Sequence, residues 1–223
     1  MSLTSPAGAS ATAPASLDDG LRARIADQLA GRFKGDIIGP DHPQYDAARQ
    51  VWNSMIDRSP GLILRCTSTA DVVAAVNVAR DNGLYPSVRC GGHNVAGKAM
   101  SDGGLTLDLS GLREVTVDAA NKLVSVGGGS RLGDVDAAVA SHGLIVPAGI
   151  MSETGVAGLS LGGGIGWFSR KHGHLHAVRG LRGSVGTMAA YSRSASKLGR
   201  VKAQYDPGNL FRANYTIVPA PAG

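Results

Sequence analysis

Residues 88–100, VRCGGHNVAGKAM, set a histidine and a lysine among glycines. Gly92, Gly97 and Lys98 match the spacing G-x-x-x-x-G-K, in which glycines let backbone N–H groups close on phosphate oxygens and the lysine reaches the terminal phosphates. A nucleotide triphosphatase further requires Ser or Thr next, to hold magnesium at the start of a helix. The chain supplies Ala99 and then Met100-Ser101-Asp102-Gly103-Gly104, which is a turn and not a helix. What remains is a phosphate cradle with His93 held inside it.

A second glycine-rich stretch is GVAGLSLGGGIGW, residues 155–167. Gly164, Gly166 and Ser169 approximate G-x-G-x-x-G, but the last glycine is missing. The acidic residue expected about 20 positions further on is missing too, which argues against a dinucleotide-binding fold of that type. Six glycines in thirteen residues still mean backbone that approaches something closely, since a side chain at each would block it. Val156, Leu159, Leu161, Ile165 and Trp167 anchor the stretch as structured. His172, His174 and His176 would share one strand face, yet no carboxylate or cysteine joins them nearby, so they read as solvated loop histidines and no metal is expected. Cys66 and Cys90 are too few for a disulfide framework and read as a structural pair or as reduced core thiols.

The elements that must position these loops are legible from periodicity. Ser16 with Asp19 resembles a capping box, and Leu21, Ile25 and Leu29 recur every four residues before Gly31, which predicts a short amphipathic helix. Leu62-Ile63-Leu64 is a short apolar strand, and Ser68-Thr69-Ala70-Asp71 opens a helix with Val72, Val76 and Ala79 on one face. Gly83 closes it, and residues 85–89 return as strand, completing a β-α-β unit. Residues 104–109 alternate as a half-buried strand, Val115 and Val117 alternate again, and residues 123–126 run into Gly127-Gly128-Gly129. Ser130 then caps a helix with Leu132, Val135 and Val139 inward, closed by Gly143. Two α/β units that each deliver the chain to a glycine-rich loop fit one ligand-binding domain.

Composition narrows the classes. With 43% hydrophobic and 17% charged residues among 223, the chain can bury one good core. Residues 1–16 are small and polar without a charged and then apolar leader, so they read as a flexible tail, and the cytoplasm is the expected compartment. No run approaches the roughly 18 apolar residues of a membrane span. The net charge of +5 belongs to one segment, because no Asp or Glu lies between Thr154 and Tyr205 while eight Lys and Arg do. That stretch supplies basic residues without interleaved aromatics or a reader motif, which argues against a nucleic-acid partner.

Five stretches in order carry a family resemblance: Arg89-Cys90-Gly91-Gly92-His93-Asn94, Gly103 to Ser110, Pro147-Ala148-Gly149, Thr154 to Trp167, and Ser169-Arg170-Lys171-His172-Gly173. Together they resemble the flavin domain of the berberine bridge enzyme-like oxidoreductases, in the vanillyl-alcohol oxidase superfamily. The resemblance implies an α+β fold, a PCMH-type FAD-binding domain of two α/β subdomains with FAD between them. It implies cofactor contacts from Arg89, Cys90, Gly91, Gly92, His93, Asn94, Gly97, Met151, Thr154, Gly155, Gly158, Gly162, Gly163, Gly164 and Ile165. His93 stands at the family's position for a covalent bond to the flavin 8α-methyl carbon. Met151 stands where many relatives place a second, cysteinyl tether, so the resemblance implies a single histidyl link. The expected activity is hydride transfer from an alcohol, sugar or amine-like small molecule to FAD.

The pattern breaks after Gly173. Residues 177–186 are a degraded likeness of the end of the family's first half, and residues 202–219 resemble its C-terminal end, with no substrate domain between. The chain then divides into a tail (1–16), an N-terminal helical brace (17–56), the PCMH-type FAD-binding core (57–173), an atypical basic segment in place of the substrate domain (174–200) and a C-terminal segment returning to the FAD domain (201–223). Only Tyr191 could be offered as a base there, and no catalytic residue is named. The alternative to an enzyme is an FAD-binding module without turnover, and the bared face invites a homodimer.

Overall fold

The structure, a computed structural model, describes residues 16–162, 164–166, 170, 195–208 and 210. Its centre is a four-stranded sheet in the order β1-β2-β4-β3, formed by β1 (Asp36–Ile38), β2 (Leu62–Arg65), β4 (Leu105–Asp108) and β3 (Ser87–Arg89). β2 and β3 both run parallel to β4, and β1 closes one edge antiparallel to β2. The β2–helix–β3 unit expected from the sequence is present, but its crossover leaves a gap one strand wide that β4 fills.

Alternation along the strands sends side chains to two different cores. Leu62, Leu64, Leu105 and Leu107 meet Ile25 and Leu29 of α1 (Asp19–Leu29) and Ala75, Val78 and Ala79 of α3 (Thr69–Asp81) on one face. Ile63 meets Ile38, Met100, and Tyr45 and Ala48 of α2 (Tyr45–Arg49) on the other. This corrects the expected half-buried strand at 104–109. All four residues of β4 are buried, because a central strand covered on both faces has no solvent side. Thr106, on the polar phase of the alternation, is satisfied by a 2.8 Å hydrogen bond with Ser87.

Three local expectations shift by a residue or so, each for a hydrogen-bonding reason. Asp18, not Ser16, caps α1, accepting from the Leu21 N–H at 2.7 Å. Ser68 caps α3 as expected, but the buried stripe of that helix is Asp71, Ala75, Val78 and Ala79, with Val72 and Val76 only half-buried. Asp71 turns inward because it takes the Lys34 N–H at 2.8 Å, the Thr67 N–H at 3.0 Å and the Thr67 hydroxyl at 2.8 Å. Burial works against its charge, but these donors outweigh it and hold its pKa down to about 2. In α4 (Leu132–Ala140), Arg131 occupies the cap position and its N–H donates to Asp134 at 2.7 Å. The Ser130 hydroxyl instead donates to the Glu114 carbonyl at 3.3 Å. Leu132, Val135 and Val139 face inward as the spacing predicts.

The hairpin β5 (Val115–Asp118) and β6 (Leu123–Val126) forms a second, antiparallel sheet against α4. The fold is therefore α+β, with helices and two separate sheets. The segment 17–56 contributes strand β1 as well as helices, and Leu17, Ile25 and Leu29 belong to the same core as β2 and β4. Leu210 joins that core as well. Helices α5 (Val156–Gly162) and α6 (Ala195–Tyr205) complete the described elements. Among the described residues, no helix is long and apolar enough to cross a membrane.

Candidate functional site

Strand β3 delivers the chain at Arg89 to the first glycine loop. The Arg89 guanidinium donates to the Ala48 carbonyl at 2.8 Å and lies 3.4 Å from the buried Asp108, so it anchors the strand that feeds the loop. Cys90 follows, half-buried, with its Sγ 3.4 Å from the Ser130 carbonyl. Burial raises its pKa, which keeps it a thiol at neutral pH. Both cysteines are free, which settles the open alternative for reduced thiols. Burial also pushes the Cys66 thiol up to about 12.

Two loops meet where neither could carry a side chain. A Cβ on Gly91 would stand 2.5 Å from both the Glu153 carbonyl oxygen and the Gly155 nitrogen. A Cβ on Gly155 would stand 2.5 Å from the Cys90 sulfur and 2.8 Å from the Gly91 nitrogen. The second loop is fixed in turn to the start of α4. Leu132 N–H donates to the Thr154 carbonyl at 2.9 Å, Gly133 N–H to the Ser152 carbonyl at 2.9 Å, and Val156 N–H to the Ser130 carbonyl at 3.0 Å. The Thr154 N–H returns to the Met151 carbonyl at 3.0 Å.

His93 sits at the rim of this contact. Its Nδ1 lies 3.5 Å from the Thr154 hydroxyl, and its ring stacks on Trp52 with centroids 5.0 Å apart and planes 19° from parallel. Burial holds the His93 pKa below its ordinary value. The Glu153 charge opposes that shift and the Arg131 charge adds to it; the shift favours the neutral form of the imidazole, which is the nucleophilic one.

The loop around His93 turns at a glycine and presents a run of backbone donors. Gly92 has φ +71°, in the left-handed region, which turns the chain at the point where His93 begins. The backbone N–H groups of Gly92, His93, Asn94, Val95 and Ala96 donate to no acceptor among the described residues, and Asn94, Val95 and Ala96 are exposed. Consecutive donors of this kind are open to solvent or to an anionic ligand. Asn94 keeps the loop in shape by accepting from Gly97 N–H through its carbonyl and from Lys98 N–H through its side chain, each at 3.0 Å.

The structure thus brings together Cys90, Gly91, Gly92, His93, Asn94, Gly97, Thr154 and Gly155. Met151 and Ile165 are exposed, Gly158 faces open space, Gly164 packs on Leu159, and Gly162 ends α5. Gly163 lies outside the described residues, as do His172, His174, His176 and Tyr191, and so does most of the basic 170–202 stretch. Sequence reasoning missed Trp52 and its neighbours, which reach the loop only through tertiary packing.

Comparison with known proteins agrees with this geometry. A family described as FAD binding domain matches residues 60–183, more than half of the chain. A second, described as berberine and berberine like, matches residues 185–217. The chain is 40% identical over 153 residues to (R)-6-hydroxynicotine oxidase of Paenarthrobacter nicotinovorans, covering 69% of this chain and 33% of that protein. It is 42% identical over 151 residues to an FAD-linked oxidoreductase of Dictyostelium discoideum, covering 67% and 33% of the two chains. Among solved structures, BBE-like 1 of Physcomitrella patens superposes with a TM-score of 0.63 at 30% identity, over 68% of this chain and 33% of that one. The chain spans about a third of the length of the curated relatives it matches. The glycine cradle, the histidine at its rim and the matched residues have one common explanation: the chain belongs to the FAD binding domain family, with a berberine and berberine-like segment following directly.

Proposed function

We propose that this chain holds FAD through a single covalent bond at His93 and serves as the flavin-carrying part of an oxidoreductase of the berberine bridge enzyme-like type. The observation that carries the reading is the place of His93, stacked on Trp52 and inside a run of backbone N–H groups, Gly92 to Ala96, that no described residue accepts. The residues fit the cofactor. The N–H groups of Gly92 to Ala96 are the donors a pyrophosphate requires, and Gly91 and Gly155 let two backbones lie side by side where any Cβ would part them. The Thr154 hydroxyl orients the imidazole. When bound, FAD supplies a two-electron hydride acceptor. Such a link would replace one C–H of the 8α-methyl group and the imidazole N–H by a C–N bond, a two-electron oxidation for which dioxygen would serve as the final acceptor.

A second reading, an FAD-binding module without turnover, is favoured by one observation. The two family matches are separated only by residue 184, and the part of the chain that matches (R)-6-hydroxynicotine oxidase covers 33% of that protein. In that reading residues 174–200 stand in place of a substrate domain. Both readings require flavin, and turnover separates them. Addition of (R)-6-hydroxynicotine or of simple alcohols, sugars and amines under anaerobic conditions bleaches the flavin absorbance only if the chain is an enzyme.

The test of the link is acid precipitation of the purified protein. Flavin absorbance and fluorescence stay with the washed pellet of the wild type and pass wholly to the supernatant for His93→Ala. Flavin that is released from both would overturn the covalent reading while leaving non-covalent binding intact.

A further inference from the structure

We infer that Trp52 is the positioning residue for the His93 linkage, its indole fixing the plane in which the imidazole is presented to the flavin. The inference rests on the covalent reading above and adds a residue to it. Three contacts lay the segment 51–56 across the glycine loop as a strap. The Trp52 N–H donates to the Gly92 carbonyl at 3.2 Å. Val51 lies 3.5 to 3.6 Å from where a Gly92 Cβ would stand, and Ile56 lies 2.6 Å from where a Gly97 Cβ would stand. The strap therefore seats on the two left-handed glycines of the loop, with φ +71° and +70°, and between them it places the indole flat on the His93 ring.

The burial of Trp52 speaks against a core role. The residue is 61% exposed, far from what an aromatic residue achieves when its purpose is to fill a core, and its ring stacks on the imidazole. A histidine on a glycine-flanked loop would otherwise sample several rotamers, since the contact to the Thr154 hydroxyl on the other side is a long one, 3.5 Å. Bond formation at a ring nitrogen demands a defined approach to the methyl carbon, and a small misplacement of a reacting group slows such a step severely. The indole blocks one face of the imidazole and leaves its edge to Thr154 and the flavin.

The experiment compares Trp52→Phe with Trp52→Leu. Phenylalanine keeps a flat ring for stacking, whereas leucine keeps apolar bulk without one, and neither empties a buried site. Protein produced under riboflavin limitation is mixed with FAD, and the appearance of acid-stable flavin is followed in time. Non-covalent FAD affinity is measured separately by fluorescence quenching in the His93→Ala background, with and without each Trp52 change. The expected result is a covalent rate about tenfold or more below wild type for Trp52→Leu, largely restored in Trp52→Phe, with FAD affinity unchanged by either. Equal rates in all three proteins would overturn the role of Trp52, and so would a loss of FAD affinity that matches the loss of rate. A wild type that forms no acid-stable flavin at all would instead overturn the covalent reading on which the inference rests.

Discussion

Replacing Gly91 with alanine is expected to strip the protein of flavin. The new Cβ would stand 2.5 Å from the Glu153 carbonyl oxygen and the Gly155 nitrogen and 3.2 Å from the Gly155 Cα. All three are backbone atoms, so no side-chain rotation relieves the clash, and the two loops must part. The second loop cannot simply retreat, because Ser152 and Thr154 are hydrogen-bonded to the first residues of α4 at 2.9 Å. The strain therefore falls on residues 90–93, the segment that carries His93. Overpacking of this kind costs about 1–3 kcal/mol, enough to lower FAD affinity by tenfold or more at a site that depends on the loops staying in contact. The ratio of flavin to protein absorbance after purification, the FAD dissociation constant and a thermal melt together measure the effect. Wild-type flavin content in Gly91→Ala would show that the loop contact is not part of the cofactor site. Gly155→Ala is the reciprocal variant, meeting the Cys90 sulfur at 2.5 Å and the Gly91 nitrogen at 2.8 Å.

The second large effect concerns stability. Asp71 is fully buried and accepts from two backbone N–H groups, of Lys34 and Thr67, and from the Thr67 hydroxyl. Removing its carboxylate in Asp71→Ala leaves those buried donors without an acceptor, which is expected to destabilise the fold by about 2–4 kcal/mol. The pH dependence has a definite sign. The folded-state pKa, about 2, lies below the ordinary carboxylate value, so the stabilisation by Asp71 is complete above about pH 4 and is lost as the pH falls towards 2. Asp71→Asn keeps an acceptor oxygen but cannot titrate, so it should lose less stability at pH 7 and show a flatter acid limb between about pH 4 and 2. Urea unfolding at a series of pH values reads both quantities. Equal stability of wild type and Asp71→Ala at pH 7 would mean that Lys34 and Thr67 find other partners.

The parts of the fold that followed from the sequence are those where local pattern and tertiary environment ask for the same thing. Ser68 caps α3 and Leu132, Val135 and Val139 line α4 because capping and a 3.6-residue period are decided within a few residues of chain. Alternation along residues 104–109 pointed to a half-buried strand, and it failed because Thr106 and Asp108 are buried with partners from elsewhere: Ser87 for the one, Arg65 and Arg89 for the other. The burial of Asp71 was not legible either. A carboxylate in the first turn of a helix suits the exposed face, yet this one is drawn inward by the N–H of Lys34, which is 37 residues away.

The candidate site divides along the same line. Glycines at 91, 92, 97 and 155 announced close backbone approach, and the structure gives each a reason in a neighbouring atom or a left-handed turn. What the glycines approach was not legible. Gly91 and Gly155 are 64 positions apart, and nothing in either loop names the other. Trp52 carried no signal at all, since it sits between short elements without periodicity and gains its contact with His93 only after the strap folds over the loop.

The covalent bond at His93 is tested most directly by mass spectrometry of the denatured, intact protein, followed by proteolysis and mapping of the flavin-bearing peptide. The expected result is a chain heavier by one FAD less two hydrogen atoms, with the added mass confined to the peptide that contains His93 and absent from His93→Ala. A wild-type chain at its bare mass, with flavin recovered free in solution or bound to another residue, would contradict it.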